Sequence, residues 1–376
     1  MAQRILLDLL GFTGERGGTE TYVRQISRRL SATLPGAELI ALTNAASVEL
    51  VRSFFPGEVH PIPWVRKDRA TWALGEIFAV NRYAARLGAD VIWSPANFGP
   101  ISRRTPLVLT FHDVVYRDWR GNLVESAIRS LAWWMMRRSA HVADIVITGS
   151  DAAAAELVEY AGVDPVRLRV VPHGTADPQP PSDAWAELEP LGITAQRPIV
   201  LSTGNRLPHK NFTGLLEAIA TLEPHQRPLT VIPGAHGEDP LKEVVERLGL
   251  EADVILPGWI TYPQLEALYA VATLYVCPSL TEGFGLPVID AMRRGCPVLA
   301  NDVPVLHEVG GDAASYADAG DPMTLGRAVL AVVATPRDEA RIAEGVAWAS
   351  KFTWDASAGA TARILDEAIV VAGPRG

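Results

Sequence analysis

At 376 residues the chain is too long for one hydrophobic core of ordinary size, and its 48% apolar content is that of a well-buried protein, so two globular domains are expected. The negative charge, −9 in all, is carried by the second half, while the first half is mildly basic. That balance argues against nucleic acid as a partner and leaves the first half suited to an anionic surface. No apolar run reaches membrane-spanning length, and Gln3 to Leu10 is too short and acid-containing for a signal peptide. Cys277 and Cys296 both lie in apolar segments, which fits free thiols in a reducing cytoplasm better than a disulfide framework. Arginine is the general-purpose cation: the lysines are only Lys67, Lys210, Lys242 and Lys351, which gives weight to Lys210 in its loop.

In chain order, Arg4 to Leu10 predicts a first strand that ends at Gly11. A glycine-rich loop, residues 14–19, leads into a helix with Tyr22, Ile26, Leu30 and Leu34 at four-residue spacing. This is the strand, loop, helix order of a nucleotide-binding unit, without the glycine register of the dinucleotide fingerprint. Gly17 and Gly18 therefore serve either a ligand or simply a tight turn. Further strands are expected at Asp90 to Trp93, Pro106 to Phe111, Asp144 to Thr148 and Leu168 to Val171. Each is followed by polar residues, among them Ser94, Asn97, His112, Asp113, Ser150 and His173, at the strand ends where open parallel sheets bind ligands. Residues 123–142 predict a helix whose Trp133, Trp134, Met135 and Met136 beside Arg137 and Arg138 read as core packing with a charged rim, or as a membrane-surface contact.

Prolines 178, 180, 181 and 190 in a polar setting mark a linker, after which alternation resumes. Strands are expected at Pro198 to Thr203, Leu229 to Ile232, Asp253 to Leu256, Leu274 to Cys277 and Pro297 to Ala300. Helices are expected at Phe212 to Leu222, Pro240 to Leu248 with Asp239 as N-cap, and Pro263 to Ala272. The loop from Gly204 to Asn211 carries Arg206 and Lys210, a forked and a point cation suited to phosphate oxygens.

The stretch from Thr281 to Asp290 is the most informative. Pro287 suits the start of a helix, so Gly283, Phe284, Gly285 and Leu286 form the loop whose amides and helix dipole attract an anion. Glu282 stands at its mouth and Asp290 about one turn inside. Acids flanking an anion seat suit a ligand carrying both phosphate and many hydroxyls, such as a nucleotide sugar. A solvated charged helix start is the plainer reading.

These residues together resemble the family-4 retaining glycosyltransferases (glycosyltransferase group 1). The resemblance rests on Pro278 through Pro287, on Ala291-Met292 and Gly295 to Val298, on Gly17-Gly18, His112-Asp113 and Val171 to Gly174, on Gly204 with Lys210-Asn211, and on Leu306 to Ala314. It implies an α/β protein of GT-B architecture, two facing Rossmann-like domains with a C-terminal helix crossing back to the first. The corresponding boundaries are 1–178, completed by 354–376, a linker at 179–196, and a nucleotide-sugar domain at 197–353.

Carried over residue by residue, the resemblance implies that Glu282 contacts donor-sugar hydroxyls, that Asp290 holds the ribose, and that the 283–286 amides hold sugar and phosphate. Lys210 and an arginine stabilise the leaving diphosphate. The family arginine directly follows the loop glycine, here Gly204; Asn205 stands there, which leaves Arg206 as the substitute. His112 lies near the anomeric carbon, Gly17 and Gly18 near phosphates or acceptor, Trp259 and Ile260 beside the base, and Tyr22 and Asp113 on the acceptor side. Asp290 replaces the family glutamate and shortens its reach. No metal and no cofactor are implied beyond the donor as co-substrate. The expected site of action is the cytoplasm, with peripheral contact to the inner membrane if the acceptor is lipid-linked. GDP-mannose is favoured slightly over dTDP-rhamnose or UDP donors, and the acceptor is a glycan, a lipid-linked glycan or a small molecule. The other readings are an epimerase or phosphorylase on the same fold, and a silent nucleotide-sugar-binding subunit.

Overall fold

The structure, a computed structural model, describes residues 2–14, 17–115 and 123–372, with only the backbone of 123–125 and 372. The chain divides into two compact units: one runs to Gly174 and resumes at Thr353, and the other is Thr175–Phe352.

The first unit is a seven-stranded parallel sheet: β1 (Arg4–Leu9), β2 (Glu38–Asn44), β3 (Glu58–Ile62), β4 (Val91–Ser94), β5 (Leu107–Thr110), β6 (Ile145–Thr148) and β7 (Leu168–Val170). Their order is β3-β2-β1-β4-β5-β6-β7, with Leu7 opposite Trp93 at the centre. Ile5, Leu6 and Leu7 are wholly buried, as expected for a strand covered on both faces. β2 and β3 are additions to the strands expected from sequence; Leu39, Ile40, Ala41 and Leu42 form an unbroken apolar run of the buried-strand type.

The Trp354–Ala372 helix belongs to this first unit and packs on the Gly17–Thr33 helix. Arg29 Nε lies 2.6 Å from Asp355 Oδ1, Arg169 pairs with Glu367, and Ser357 Oγ donates to the Pro172 carbonyl. In the Leu123–Val142 helix the expected core reading holds for Met135 and Met136, which are buried. Ile128, Leu131 and Trp134 are exposed instead.

The second unit holds β8 (Ile199–Leu201), β9 (Leu229–Val231), β10 (Val254–Ile255), β11 (Leu274–Cys277), β12 (Val298–Asn301) and β13 (Ser315–Ala317), all parallel, in the order β10-β9-β8-β11-β12-β13. The expected linker at 179–196 contains the Ala184–Leu188 helix, which packs on the Tyr262–Val271 helix inside this unit. Its Leu188 and the nearby Ile193 are buried, and these anchors were obscured by the surrounding prolines.

In each unit the strand order reverses direction once, between β1 and β4 and between β8 and β11. The loops leaving these strands cannot cross over one another, so a crevice opens at that point.

Candidate functional site

In the second unit the crevice lies where the loops after β8 and β11 meet. The β8 loop turns through Gly204, at a φ of +151°, and ends in a 3-10 turn, Pro208–Lys210. The Leu280 amide donates to the His209 carbonyl at 2.8 Å, fastening the two loops together. This brings Lys210 Nζ to 2.6 Å from Glu282 Oε1, with both side chains largely buried. Burial would raise the Glu282 carboxyl; the Lys210 charge and hydrogen bond outweigh it and hold the group below its usual range. Cation and carboxylate thus stand ready as neighbours.

Beyond Glu282, Gly285 takes a φ of +92°, which favours glycine, and a Cβ there would lie 2.8 Å from a Leu306 methyl that would have to move aside. The Leu286–Arg293 helix starts at this point with Pro287 in its first turn and no side chain capping its amides. Pro287 has no amide hydrogen and the Val288 amide donates to the Gly285 carbonyl at 2.9 Å, so the Leu286 amide and the helix dipole are what this helix start offers an anion. Gly283 and Leu286 are half-buried, but the Phe284 side chain is buried and packs edge-on against Phe352. Phe284 can therefore serve a ligand only through its backbone.

Asp290 is held from two sides. Thr175 Oγ1 donates to its Oδ1, and Arg294 Nη1 approaches the same oxygen at 3.4 Å. Arg294 also grips Glu266 Oε1 through Nη2 at 2.6 Å and Nε at 2.9 Å. Burial raises the Asp290 carboxyl above its usual value, with Arg294 and Thr175 opposing. Thr175 and Arg294 were not anticipated as members of the site. The signal for Arg294 was its place one helical turn after Asp290; Thr175 had none.

Arg206 is a correction. All of its donors are occupied: Nε faces both oxygens of Asp239, Nη1 donates to the Gly204 and Pro233 carbonyls, and Nη2 to the Ile232 carbonyl and Asp239. Its guanidinium also lies 5.1 Å from the centre of the Phe212 ring. An arginine so spent cannot grip a phosphate, and it acts instead as a clamp on the loop after β9. Asp239, expected to cap a helix beginning at Pro240, is the partner that redirects it; that helix spans Leu241–Leu248.

Trp259 and Ile260 follow β10. Trp259 is 64% exposed and stacks on His236, with ring centres 4.4 Å apart and 20° between planes. Ile260 is half-buried.

In the first unit His112 follows β5 and is buried. Its amide donates to Asn97 Oδ1 at 2.6 Å, and its Nε2 lies 2.9 Å from the Pro95 carbonyl. A carbonyl only accepts, so Nε2 carries the proton and Nδ1 the lone pair. Burial pushes the imidazole down to about 4, with the Pro95 contact only partly opposing, so the ring is neutral at physiological pH. His173 lies 5.4 Å from it, ring centre to ring centre, and is likewise pushed well below the usual value by burial and by His112.

Tyr22 packs under both rings, at 4.9 Å from His112 and 4.6 Å from His173, and is wholly buried. It can touch no acceptor, and it is the floor beneath the histidines. Asp113 is half-buried, with Oδ1 accepting from the Val115 amide. Gly17 and Gly18 are exposed at the start of their helix, and a side chain at Gly17 would meet nothing within 4 Å. Glu15 and Arg16 of that loop lie outside the described residues. Among the described residues no group of His, Cys, Asp and Glu side chains is arranged to hold a metal ion.

Of the two α/β units, each built on a parallel sheet, the second sets a cation and two acids around an uncapped helix start, groups suited to a ligand that carries both phosphate and hydroxyls. Family models make this specific: residues 16–177 match Glycosyltransferase Family 4 and residues 183–347 match Glycosyl transferases group 1. The chain belongs to this family and is a glycosyltransferase of the GT-B fold.

Among its relatives, O-antigen chain mannosyltransferase B of Escherichia coli is 29% identical over 281 residues, 73% of each chain. D-inositol 3-phosphate glycosyltransferase of a Nocardioides species is 28% identical over 393 residues, 92% of this chain and 84% of that one. Among solved structures, sucrose-phosphate synthase of Thermosynechococcus elongatus superposes with a TM-score of 0.77 at 20% identity, covering 98% of this chain and 100% of that one.

Proposed function

We propose that the protein is a retaining hexosyltransferase that moves a sugar, with mannose from GDP-mannose first among the candidates, to a hydroxyl of a glycan, a lipid-linked glycan or a small molecule. The observation that carries this reading is the Lys210–Glu282 pair at the mouth of the uncapped Leu286–Arg293 helix. A mannosyltransferase among the relatives supports the choice of sugar.

During transfer the bond from the anomeric carbon to the diphosphate breaks, charge builds on the leaving oxygens, and the sugar ring turns cationic. Lys210, the Leu286 amide and the helix dipole offset the first charge. Glu282 accepts from a sugar hydroxyl and stabilises the second through its negative field. Asp290 takes the ribose hydroxyls. The acceptor oxygen attacks from the face the diphosphate leaves, and a phosphate oxygen takes its proton, so no dedicated base is required. His112, neutral and with Nδ1 unprotonated, offers an acceptor to a sugar hydroxyl rather than an acid. With Arg206 withdrawn, Lys210 carries the side-chain share of diphosphate stabilisation.

The experiment is to incubate the protein with GDP-mannose, UDP-glucose and dTDP-rhamnose, with and without acceptors, and to follow nucleoside diphosphate release and the anomeric configuration of the product. Inversion, or donor binding without turnover on any acceptor, sinks the reading.

A lipid-linked acceptor is supported by Ile128, Leu131 and Trp134, exposed at three-residue spacing beside the exposed Arg138. Among the described residues no helix is long and apolar enough to cross a membrane, so the contact would be peripheral. Sedimentation with vesicles tests it; equal recovery with neutral and anionic lipid removes the membrane contact.

A further inference from the structure

Among the described residues only two other than glycine hold a positive φ, and both are asparagines: Asn97 at +67° and Asn211 at +54°. Such backbone is disfavoured for any residue with a Cβ and persists where the surroundings require it. Asn97 stands in the first unit, where its Oδ1 accepts from the His112 amide. Asn211 directly follows Lys210 in the second.

Asn211 occupies the position before the Phe212–Ala220 helix at which an asparagine ordinarily caps, yet its side chain makes no capping bond. Its Nδ2 donates instead to the carbonyl of Ala319, 108 residues on, at 2.8 Å. Gly214 leaves room for this: a Cβ there would lie 2.5 Å from Asn211 Oδ1, so any side chain would push the amide aside. The chain thus forgoes a local cap and takes up an unfavourable backbone to keep a long-range bond. Stability alone would favour the cap.

The buried Ala319 is gripped a second time. Asn301, buried at the end of β12, accepts from the Ala319 amide through Oδ1 at 2.8 Å and donates through Nδ2 to the Ser279 carbonyl at 3.0 Å. Ser279 lies three residues before Glu282, and its hydroxyl bonds the Glu282 carboxylate. A closed circuit therefore runs from Lys210 through Asn211, Ala319, Asn301 and Ser279 to Glu282, and returns across the 2.6 Å ion pair. Lysine and glutamate side chains are long, so where their charges stand depends on how firmly the two loops are set against each other. A misplacement of about 1 Å can cost on the order of 10²-fold in rate.

We propose that Asn211 and Asn301 are positioning residues for the transfer step: through the backbone of Ala319 they set the separation of the loops that bear Lys210 and Glu282. The proposal rests on the roles given to that pair above.

The test compares Asn211→Gly, Asn211→Asp and Asn301→Asp with the unsubstituted protein, using whichever donor is turned over. Glycine suits the φ of +54°, so Asn211→Gly should fold and melt within a few degrees of the unsubstituted protein. Well below that melting temperature its kcat should nonetheless fall about tenfold while KM for the donor changes about threefold or less. The aspartates, which set a carboxylate against a carbonyl oxygen, should lower kcat at least as far. Because the effect passes through the pair, Asn211→Gly should lower kcat less than about twofold in a Glu282→Gln background. An unchanged kcat in Asn211→Gly, or the same loss with and without Glu282, overturns the proposal.

A second measurement needs no donor. Melting temperatures of the unsubstituted protein, Lys210→Ala, Glu282→Gln and the double variant give the coupling of the pair, which should shrink by about half when Asn211→Gly is added to all four. Coupling of full size in the Asn211→Gly series overturns the proposal whether or not any donor turns over. Absence of turnover in the unsubstituted protein overturns instead the function on which it rests.

Discussion

Lys210 Nζ lies 2.6 Å from Glu282 Oε1, and each is the other's compensation for burial. Removing only the cation leaves the buried Glu282 carboxylate its Ser279 hydrogen bond but no neighbouring ammonium, which costs about 3–5 kcal/mol. Lys210→Ala should therefore melt well below Glu282→Gln, and the double variant should recover part of the loss. Glu282→Gln should retain the fold and lose about 10²-fold in transfer rate. Because the folded carboxyl lies below its ordinary 4.5, the stabilisation it provides is present above that pH and lost as pH falls through the folded value. Melting curves of the four proteins with transfer rates decide this, and near-normal turnover by Glu282→Gln would remove Glu282 from the mechanism.

Arg206 and Asp239 make a second buried pair, 2.7 Å apart, whose role is to hold loops. Arg206→Ala should destabilise the second unit by about 3–5 kcal/mol, since Asp239 is left charged among carbonyl oxygens. Arg206→Lys should fail to rescue, because a point charge cannot replace five directed donors. A stable Arg206→Ala protein with a large loss in kcat would restore the phosphate role expected from sequence.

The sequence made the second unit legible through local signals. Glycines, Pro287 and flanking acids needed no distant partner to be read, and periodic apolar runs located most of the strands. What it could not show was where long side chains turn. Arg206 looked like a phosphate ligand because its loop was right; Asp239, 33 residues on, claims its guanidinium. Tyr22 looked equally available at a helix start, yet the histidines after β5 and β7 bury it. Thr175 falls inside the 1–178 boundary expected for the first domain, and only the chain's return beside the Leu286–Arg293 helix makes it a partner of Asp290. The edge strands β3 and β13 were missed because one carries Glu58, His60 and Pro61 and the other is three residues long.

Asp290 is strained in the opposite sense to Glu282. Burial raises its carboxyl, so the charged form is disfavoured in the folded chain: its contribution to stability is present below about pH 3.8 and lost as pH rises through the folded value. Asp290→Asn should accordingly raise the melting temperature at neutral pH, since an amide oxygen can still accept from Thr175. The same change should weaken GDP or UDP binding about ten- to hundredfold by removing charge-assisted bonds to the ribose. Asp290→Glu should bind donor at least as well as the unsubstituted protein. Melting curves and calorimetry together test the trade: a variant that loses stability, or keeps its nucleotide affinity as Asn, contradicts it.

His112 and His173 are neutral because they are buried, and folding holds them so against the pull of acid. An unfolded histidine takes its proton near 6.5, whereas His112 in the fold waits until about 4. Its share of stability is therefore complete above 6.5 and drains away as pH falls towards 4, by roughly 3 kcal/mol in all. His173 is shifted in the same direction and adds to the slope. Melting temperature should fall steeply over this interval in the unsubstituted protein and less steeply in His112→Gln, whose amide can still donate to the Pro95 carbonyl. Between pH 6 and 8 the transfer rate should show no inflection from His112, because the ring does not titrate there. An inflection near 6.5 that vanishes in His112→Gln would show a solvated, ionising imidazole and overturn the neutral acceptor role given to Nδ1.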